Sequence, residues 1–354
     1  MSLWSYCVPP DIRVSVQTPH RSSFLSRCLG EEIPGPGEPA LLLDLVSRRK
    51  EQPRGLLSAD PVDGALTVRG VHKAIPWSSR ISRRSGEGWT LAFSSPILRE
   101  YLALNIALIP SLRRLLLERG VAFLSCAAFE MDGTATLLAG LTGRGKTTLL
   151  LGALERGARL IADQGLGLGE NAEVTPVVRA LALRQETLAL APQMLRRLKP
   201  GRRSALRAGQ VTAHLTRRRL QPLLFLSPSE LGVSPVDGGW PRVRRLFWLE
   251  SEPGTESGVR CERMDVRDAV TQLSIIQAVH NLLYGDLGDF LDAAGGKLTG
   301  MDYGSRWRGT LERGLEGASC YRLSFRTGEG VLSEVLERVL QPGERAGPLQ
   351  GRES

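Results

Sequence analysis

Residues 140–148 read Gly-Leu-Thr-Gly-Arg-Gly-Lys-Thr-Thr and fill the phosphate-loop (Walker A) pattern G-x-x-x-x-G-K-[ST] from Gly140 to Thr147. This stretch constrains the fold more than any other because the pattern works only between a strand and a helix. Glycines at 140, 143 and 145 let the backbone turn so that successive N–H groups point inward at anionic oxygens. Lys146 is expected to place its ammonium over the β- and γ-phosphates, and the Thr147 hydroxyl suits a hard cation such as Mg²⁺. The flanks agree: Ala135-Thr-Leu-Leu-Ala139 has strand length and follows a turn at Asp132-Gly133, while Thr148 to Arg156 has helical composition and stops at Gly157. A helix starting at the loop would add its positive N-terminal dipole to the site. The residues expected to line the phosphates are Gly140, Thr142, Gly143, Arg144, Gly145, Lys146, Thr147 and Thr148.

The chain of 354 residues, 42% of them hydrophobic, is long enough for two domains with real cores. It contains no apolar run of membrane-spanning length, and its start has none of the blocks of a signal peptide. Its cysteines (Cys7, Cys28, Cys126, Cys261, Cys320) are odd in number, scattered, and form no C-x-x-C pair, so they read as reduced thiols. A cytoplasmic location is the expectation. Net charge is +9, and the segment from Arg196 to Arg219 holds nine Lys/Arg and no acid, so the basicity belongs to one stretch.

Short apolar runs between turn residues (Ala40–Val46, Gly64–Arg69, Trp89–Phe93) predict a small β-rich N-terminal domain over residues 1–95. Ile97 to Glu118 follows with helical spacing, which Pro110 should kink or split. From Val121 the pattern turns α/β. Strands are expected at Val121–Ser125, Ala127–Met131, Arg159–Asp163, Val174–Leu183, Leu220–Leu226, Arg245–Glu250 and Tyr321–Phe325, with helices over Asp268–Leu283 and Val331–Leu340. A second domain thus covers 96–341, interrupted by the arginine-rich insertion 196–219, and residues 342–354 read as a disordered tail.

The block from Phe123 to Leu183 resembles the nucleotide-binding core of the HPr serine kinase/phosphorylase family and its kinase-like relatives, including those encoded with peptide biosynthesis clusters. The residues that carry the resemblance are Leu124-Ser-Cys-Ala-Ala128, the loop Gly140–Thr148, and Gly157-Ala-Arg-Leu-Ile-Ala-Asp163-Gln164, with Pro176 and Arg184 beyond. It extends over roughly residues 98–340. What it implies is an α/β fold of the P-loop HPr kinase/PEP carboxykinase-like type, ATP and Mg²⁺ as cofactors, and transfer of the γ-phosphate to a serine hydroxyl of a peptide or small protein. Lys146 and Asp163 would be the catalytic pair, and Thr147 and Asp163 the metal-associated oxygens.

Two positions depart from the family pattern. Its second aspartate is Gln164 here, and its upstream histidine is Ser125. A glutamine amide has no proton affinity near neutral pH and cannot act as a general base, although it can orient a nucleophile. Three outcomes stay open at this stage: Asp163 alone serves metal and base, another acid such as Glu186 substitutes, or nucleotide binds without turnover. A regulatory or scaffold protein and a small-molecule kinase are therefore the alternatives.

The basic segment admits three readings: a solvated mobile insertion, a docking surface for an acidic partner such as a peptide substrate, or contact with nucleic acid or anionic lipid. It lacks aromatic residues, which argues against base stacking. His20, His72, His214 and His280 form no metal-spaced pair, and Trp240, Trp248 and Trp307 are assigned to packing. Ser227-Pro-Ser-Glu-Leu-Gly232 shares letters with the ABC signature but lacks its paired glycines. No base-recognition segment of the N-K-x-D type is present, which leaves ATP as the default nucleotide. A homo-oligomer is compatible with the sequence and not specified by it.

Overall fold

In a computed structural model of the chain, the described residues are 2–9, 11–34, 38–46, 57–62, 65–72, 75–83, 88–189, 191–217, 223–236, 238–251, 258–284, 303–325 and 331–341. The expected tail 342–354 and the end of the basic segment, Arg218 and Arg219, lie outside them. The architecture is mixed α/β with several sheets. No helix among the described residues is long and apolar enough to cross a membrane. The chain divides into two compact units, residues 1–123 with 277–310, and residues 124–276 with 311–354.

The first unit contains a seven-stranded sheet in the order β1-β2-β3-β7-β6-β5-β4. Its strands are β1 (Ser2–Val8), β2 (Ile12–Thr18), β3 (Leu41–Leu45), β4 (Leu57–Val62), β5 (Ala65–His72), β6 (Ile75–Arg83) and β7 (Trp89–Ser94). Helix α1 (Ser23–Leu29) connects the parallel neighbours β2 and β3, and Ser22 caps it by accepting the Leu25 N–H at 3.0 Å. The alternating burial of β3 and β7 puts Leu41, Leu43, Leu45, Leu91 and Phe93 on an apolar face.

The helical stretch expected over 97–118 is α2 (Arg99–Leu102), a π-helical segment at Ala103–Leu108, and α3 (Ile109–Glu118). Pro110 neither splits nor ends it. A proline in a regular α-helix lacks the N–H its turn needs and collides with the carbonyl four residues back. The wider turn before Pro110, where the Ile109 N–H reaches the Leu104 carbonyl five residues back, relieves that conflict.

After β8 (Val121–Leu124), the second unit is organised by a six-stranded sheet, β11-β9-β10-β16-β18-β17. Strands β9 (Ala127–Met131) and β10 (Thr134–Ala139) form a hairpin through Asp132-Gly133, both at positive φ, the pairing a tight antiparallel turn demands. Helix α4 (Lys146–Glu155) leads to β11 (Arg159–Ala162), which pairs with β9. Two antiparallel strands follow, β12 (Gly165–Gly169) and β13 (Val174–Val178), then β14 (Leu181–Leu183), helix α5 (Gln185–Ala189), α6 (Pro192–Arg197), α7 (Pro200–Leu215) and β15 (Leu224–Leu226), which pairs with β14. Helix α8 (Pro228–Leu231) and β16 (Arg242–Ser251) come next, then β17 (Arg260–Met264), α9 (Val266–Tyr284), α10 (Tyr303–Leu315), β18 (Ser319–Phe325) and α11 (Val331–Leu340).

Strands β10, β16 and β18 run parallel, so their C-terminal ends open on the same edge. In open α/β sheets, ligands bind beyond that edge. Helix α4 is apolar all round, with Leu149, Leu150, Leu151, Ala153 and Leu154 buried, as expected of a helix covered on every side. Gly152 makes this cover possible, because a Cβ there would sit 2.6 Å from Leu336 Cδ2 of α11.

The described part of the basic segment is helical and mostly exposed, with a few apolar anchors. Residues 192–215 form α6 and α7, and Met194, Leu198 and Leu206 are buried in the same core as Leu150 and Leu154 of α4. Ser227 and Glu230 form a reciprocal capping box on α8, which explains the letters that had looked like part of an ABC signature.

Candidate functional site

The loop is built by three glycines at positive φ: Gly140 (146°), Gly143 (85°) and Gly145 (85°). Gly140 is doubly constrained. A Cβ there would lie 2.8 Å from the Leu249 carbonyl oxygen of β16, so the loop leaves β10 in direct contact with its parallel neighbour. Gly145 is the residue from which α4 departs, and its α-carbon faces the Phe325 ring at the end of β18, 3.6 Å from where a Cβ would be.

Helix α4 begins at Lys146, two residues earlier than its composition indicated, and its first internal bond runs from the Leu149 N–H to the Gly145 carbonyl at 2.9 Å. The N–H groups of Lys146, Thr147 and Thr148 therefore have no acceptor within the helix, and no side chain caps them. With the helix dipole behind them, these donors are arranged in a way that suits an anion. Thr142 and Gly143 are exposed at the loop crest, while Arg144, Gly145, Lys146, Thr147 and Thr148 are half-buried.

Lys146 folds back over the loop and donates from Nζ to the Gly140 carbonyl at 2.6 Å and the Leu141 carbonyl at 3.1 Å. Burial lowers its pKa, opposed by Cys126 and Asp163. Burial also pushes the Cys126 thiol up to about 12, so at neutral pH that thiol is uncharged and Asp163 is the counter-charge that Lys146 feels.

Asp163 follows the end of β11 and is 1% exposed. Its Oδ1 accepts the Thr147 hydroxyl at 2.8 Å, and its Oδ2 accepts the Ala182 N–H of β14 at 3.3 Å. Burial raises its pKa to about 6, against the lowering effects of Thr147, the Ala182 amide and Lys146. Thus Lys146, Thr147 and Asp163, scattered over 18 residues of sequence, meet in one buried cluster. The donor set fits Mg²⁺: one carboxylate and one hydroxyl, both hard oxygens, at the mouth of a loop whose ligand would bring further oxygens. Among the described residues there is no group of three or more His, Cys, Asp or Glu, so an all-protein metal cage is not what these residues form.

The positions that departed from the family pattern adjoin this cluster in sequence. Gln164 is exposed, immediately beyond the buried Asp163. Ser125 is half-buried between β8 and β9, and Glu186 is exposed on α5. Ala182 had no sequence signal, because it contributes a backbone N–H. Arg184, noted only for its spacing, is the first residue beyond β14.

The basic residues of α6 and α7 divide into two groups. Arg202 pairs with Glu230 at 2.7 Å, Arg203 donates to the Leu198 carbonyl at 2.9 Å, and Arg197 donates to the Gly232 carbonyl at 3.0 Å. Arg196, Lys199, Arg207 and Arg217 face solvent. Trp248 and Trp307 are buried; Trp248 donates to Glu250 and Trp307 to the Phe123 carbonyl, in keeping with packing roles.

No family model matches the sequence, and no curated protein matches it. Among solved structures, the HPr(Ser) kinase/phosphatase from Coxiella burnetii is similar over 61% of this chain and 88% of that chain, at 11% identity and a TM-score of 0.28. A likeness of that size fixes neither fold nor activity.

Proposed function

We propose that this chain binds a nucleoside triphosphate, ATP by default, in the Gly140–Thr148 loop with Mg²⁺, and transfers its γ-phosphate to a hydroxyl acceptor. The acceptor expected from the resemblance is a serine of a peptide or small protein. The observation that carries the reading is the Thr147–Asp163 hydrogen bond of 2.8 Å beneath a loop of three positive-φ glycines. It joins the two oxygens that suit the cation to the backbone that suits the phosphates.

Each residue has a definable task. The first-turn amides of α4 bind and orient the phosphates, and Lys146 exchanges its loop carbonyls for phosphate oxygens. Mg²⁺, when bound, neutralises charge on the transferred phosphate. The acceptor oxygen bonds to the γ-phosphorus as the bond to the β–γ bridging oxygen breaks; the diphosphate leaves, and the acceptor proton passes to Asp163. A buried carboxylate with a raised pKa holds such a proton better than an exposed one. Because phosphoryl transfer depends mainly on positioning and electrostatics, a site with one carboxylate and an exposed Gln164 retains the necessary parts.

One observation favours a binding protein without turnover: both Asp163 oxygens already accept hydrogen bonds, from Thr147 and Ala182. Incubation with γ-labelled ATP and cell lysate separates the readings. Label on a protein or peptide, lost in Asp163→Asn, supports the kinase. Label on a metabolite shifts the acceptor to a small molecule. Nucleotide binding by the wild type with no transfer and no hydrolysis would leave the binding role.

A further inference from the structure

We infer that Arg184 is a phosphate-contacting residue of the loop site, placing its guanidinium against the terminal phosphate of a bound nucleoside triphosphate. This rests on the proposed function and adds to it the residue that would distinguish triphosphate from diphosphate.

Position comes first. Strand β14 is tied to the loop through one carboxylate, since Asp163 accepts the Thr147 hydroxyl with one oxygen and the Ala182 N–H with the other. Side chains alternate along a strand. Leu181 and Leu183 belong to the core that surrounds α4, which places Ala182 on the other side of β14, and Arg184 follows as the residue between β14 and α5. Arg184 is thus two residues from the backbone amide that touches the candidate metal-associated acid.

Unmet bonding capacity comes second. Arg184 is half-buried, and its Nε is closed off from solvent without a hydrogen-bond acceptor. Among the described residues no ion pair involves it. A guanidinium nitrogen withdrawn from water and left unpaired is costly, whereas an arginine kept only to cover apolar surface can leave its head in water. The basic residues nearby behave differently: Arg197, Arg202 and Arg203 each have an acceptor. Asp163, tied to β14 through Ala182, is already committed to Thr147 and Ala182. An acceptor brought by a ligand would complete the Arg184 guanidinium. A phosphate group matches it, because the planar fork of arginine engages two phosphate oxygens at once.

Lys146 and the α4 amides approach the phosphates from the loop, whereas an arginine that follows β14 would approach them from the Asp163 side, where the cation and the transferred phosphate would meet. The prediction is a selective one. The test is calorimetric titration of the full chain with Mg²⁺ and either a non-hydrolysable ATP analogue or ADP, for wild type, Arg184→Lys and Arg184→Ala. Arg184→Ala is expected to weaken the triphosphate by roughly ten- to hundredfold while the diphosphate changes by less than about threefold. Arg184→Lys keeps the charge and stem but loses the fork, so it should lose about three- to tenfold on the triphosphate alone. Millimolar guanidinium ion should restore part of the affinity in Arg184→Ala. Equal loss for both nucleotides, or no loss, overturns the inference and leaves the loop reading standing. If the wild type binds neither nucleotide, the loop reading fails and this inference with it. Should the alanine variant fail to fold, the lysine variant decides by the same criterion.

Discussion

The Gly140–Thr148 loop and the arginine-rich helices both carry positive charge in the second unit, and they use it in opposite ways. The loop has two basic residues between Gly140 and Thr148, and Lys146 is held over backbone carbonyls beside a buried carboxylate. Helices α6 and α7 hold many more, yet Arg197, Arg202 and Arg203 are engaged by the protein's own oxygens and the others stand in water. Density of charge is therefore a poor guide to an anion site. What marks the loop is strained geometry and buried polarity held in place before any ligand arrives.

The comparison breaks most readily at Gly140. Replacement by valine forces a branched side chain onto φ of 146° and into the Leu249 carbonyl. Nucleotide binding should be lost altogether in a titration, with a stability loss of about 2–4 kcal/mol in chemical denaturation. Next in size is Lys146→Ala, which removes a charge-assisted contact without touching the backbone. It should weaken nucleotide binding by roughly a hundredfold and leave the melting temperature close to wild type.

A third test uses the burial of Asp163. Its pKa rises from 3.8 to about 6 on folding, so between those values the folded chain keeps a proton that the unfolded chain releases. Stability from this group is fully present below about pH 4, falls as pH rises towards 6, and is flat above that. Asp163→Asn should remove that slope and abolish the proposed phosphoryl transfer, without a gain in stability at pH 7.5, because an amide offers one acceptor oxygen where the carboxylate uses two and leaves the Ala182 N–H unpaired. Denaturation at pH 4 and pH 7.5 reads the first effect, and labelled ATP reads the second. A slope that survives the substitution would show that it belongs to another group.

Changes in the helices should act on stability and leave nucleotide binding nearly unchanged. Leu206→Ala should cost about 2–4 kcal/mol, because α7 is anchored in the core around α4. Charge reversal at the exposed Arg207 and Arg217 should change nucleotide affinity by less than about twofold at physiological salt. A large effect from those reversals would show that outward charge does reach the loop, and the contrast between the two regions would have to be redrawn.

Much of the loop was legible in the sequence because its demands are local. Glycines that permit positive φ, a lysine, a hydroxyl and a flanking strand and helix all fall within a few residues of each other, and the glycines do stand at positive φ between β10 and α4. Pro110 shows where local reading falls short: a proline predicts a break only if the helix keeps its regular winding, and the π-helical turn before it removes that condition. In the basic segment, counting charges does not show Met194, Leu198 and Leu206, whose burial depends on the core around α4.

Composition and periodicity by themselves indicated a mixed α/β chain, and the glycine motif indicated a turn between strand and helix, because backbone geometry and hydrophobic periodicity are written residue by residue. Tertiary structure alone decided which acid meets Thr147, that Gln164 turns outward, that an alanine amide holds the second oxygen of Asp163, and that Arg184 has a sealed nitrogen without an acceptor. Those facts depend on where β11 and β14 end relative to α4. Chain separation carries no information about such distances until burial of the shared core brings the strand ends together.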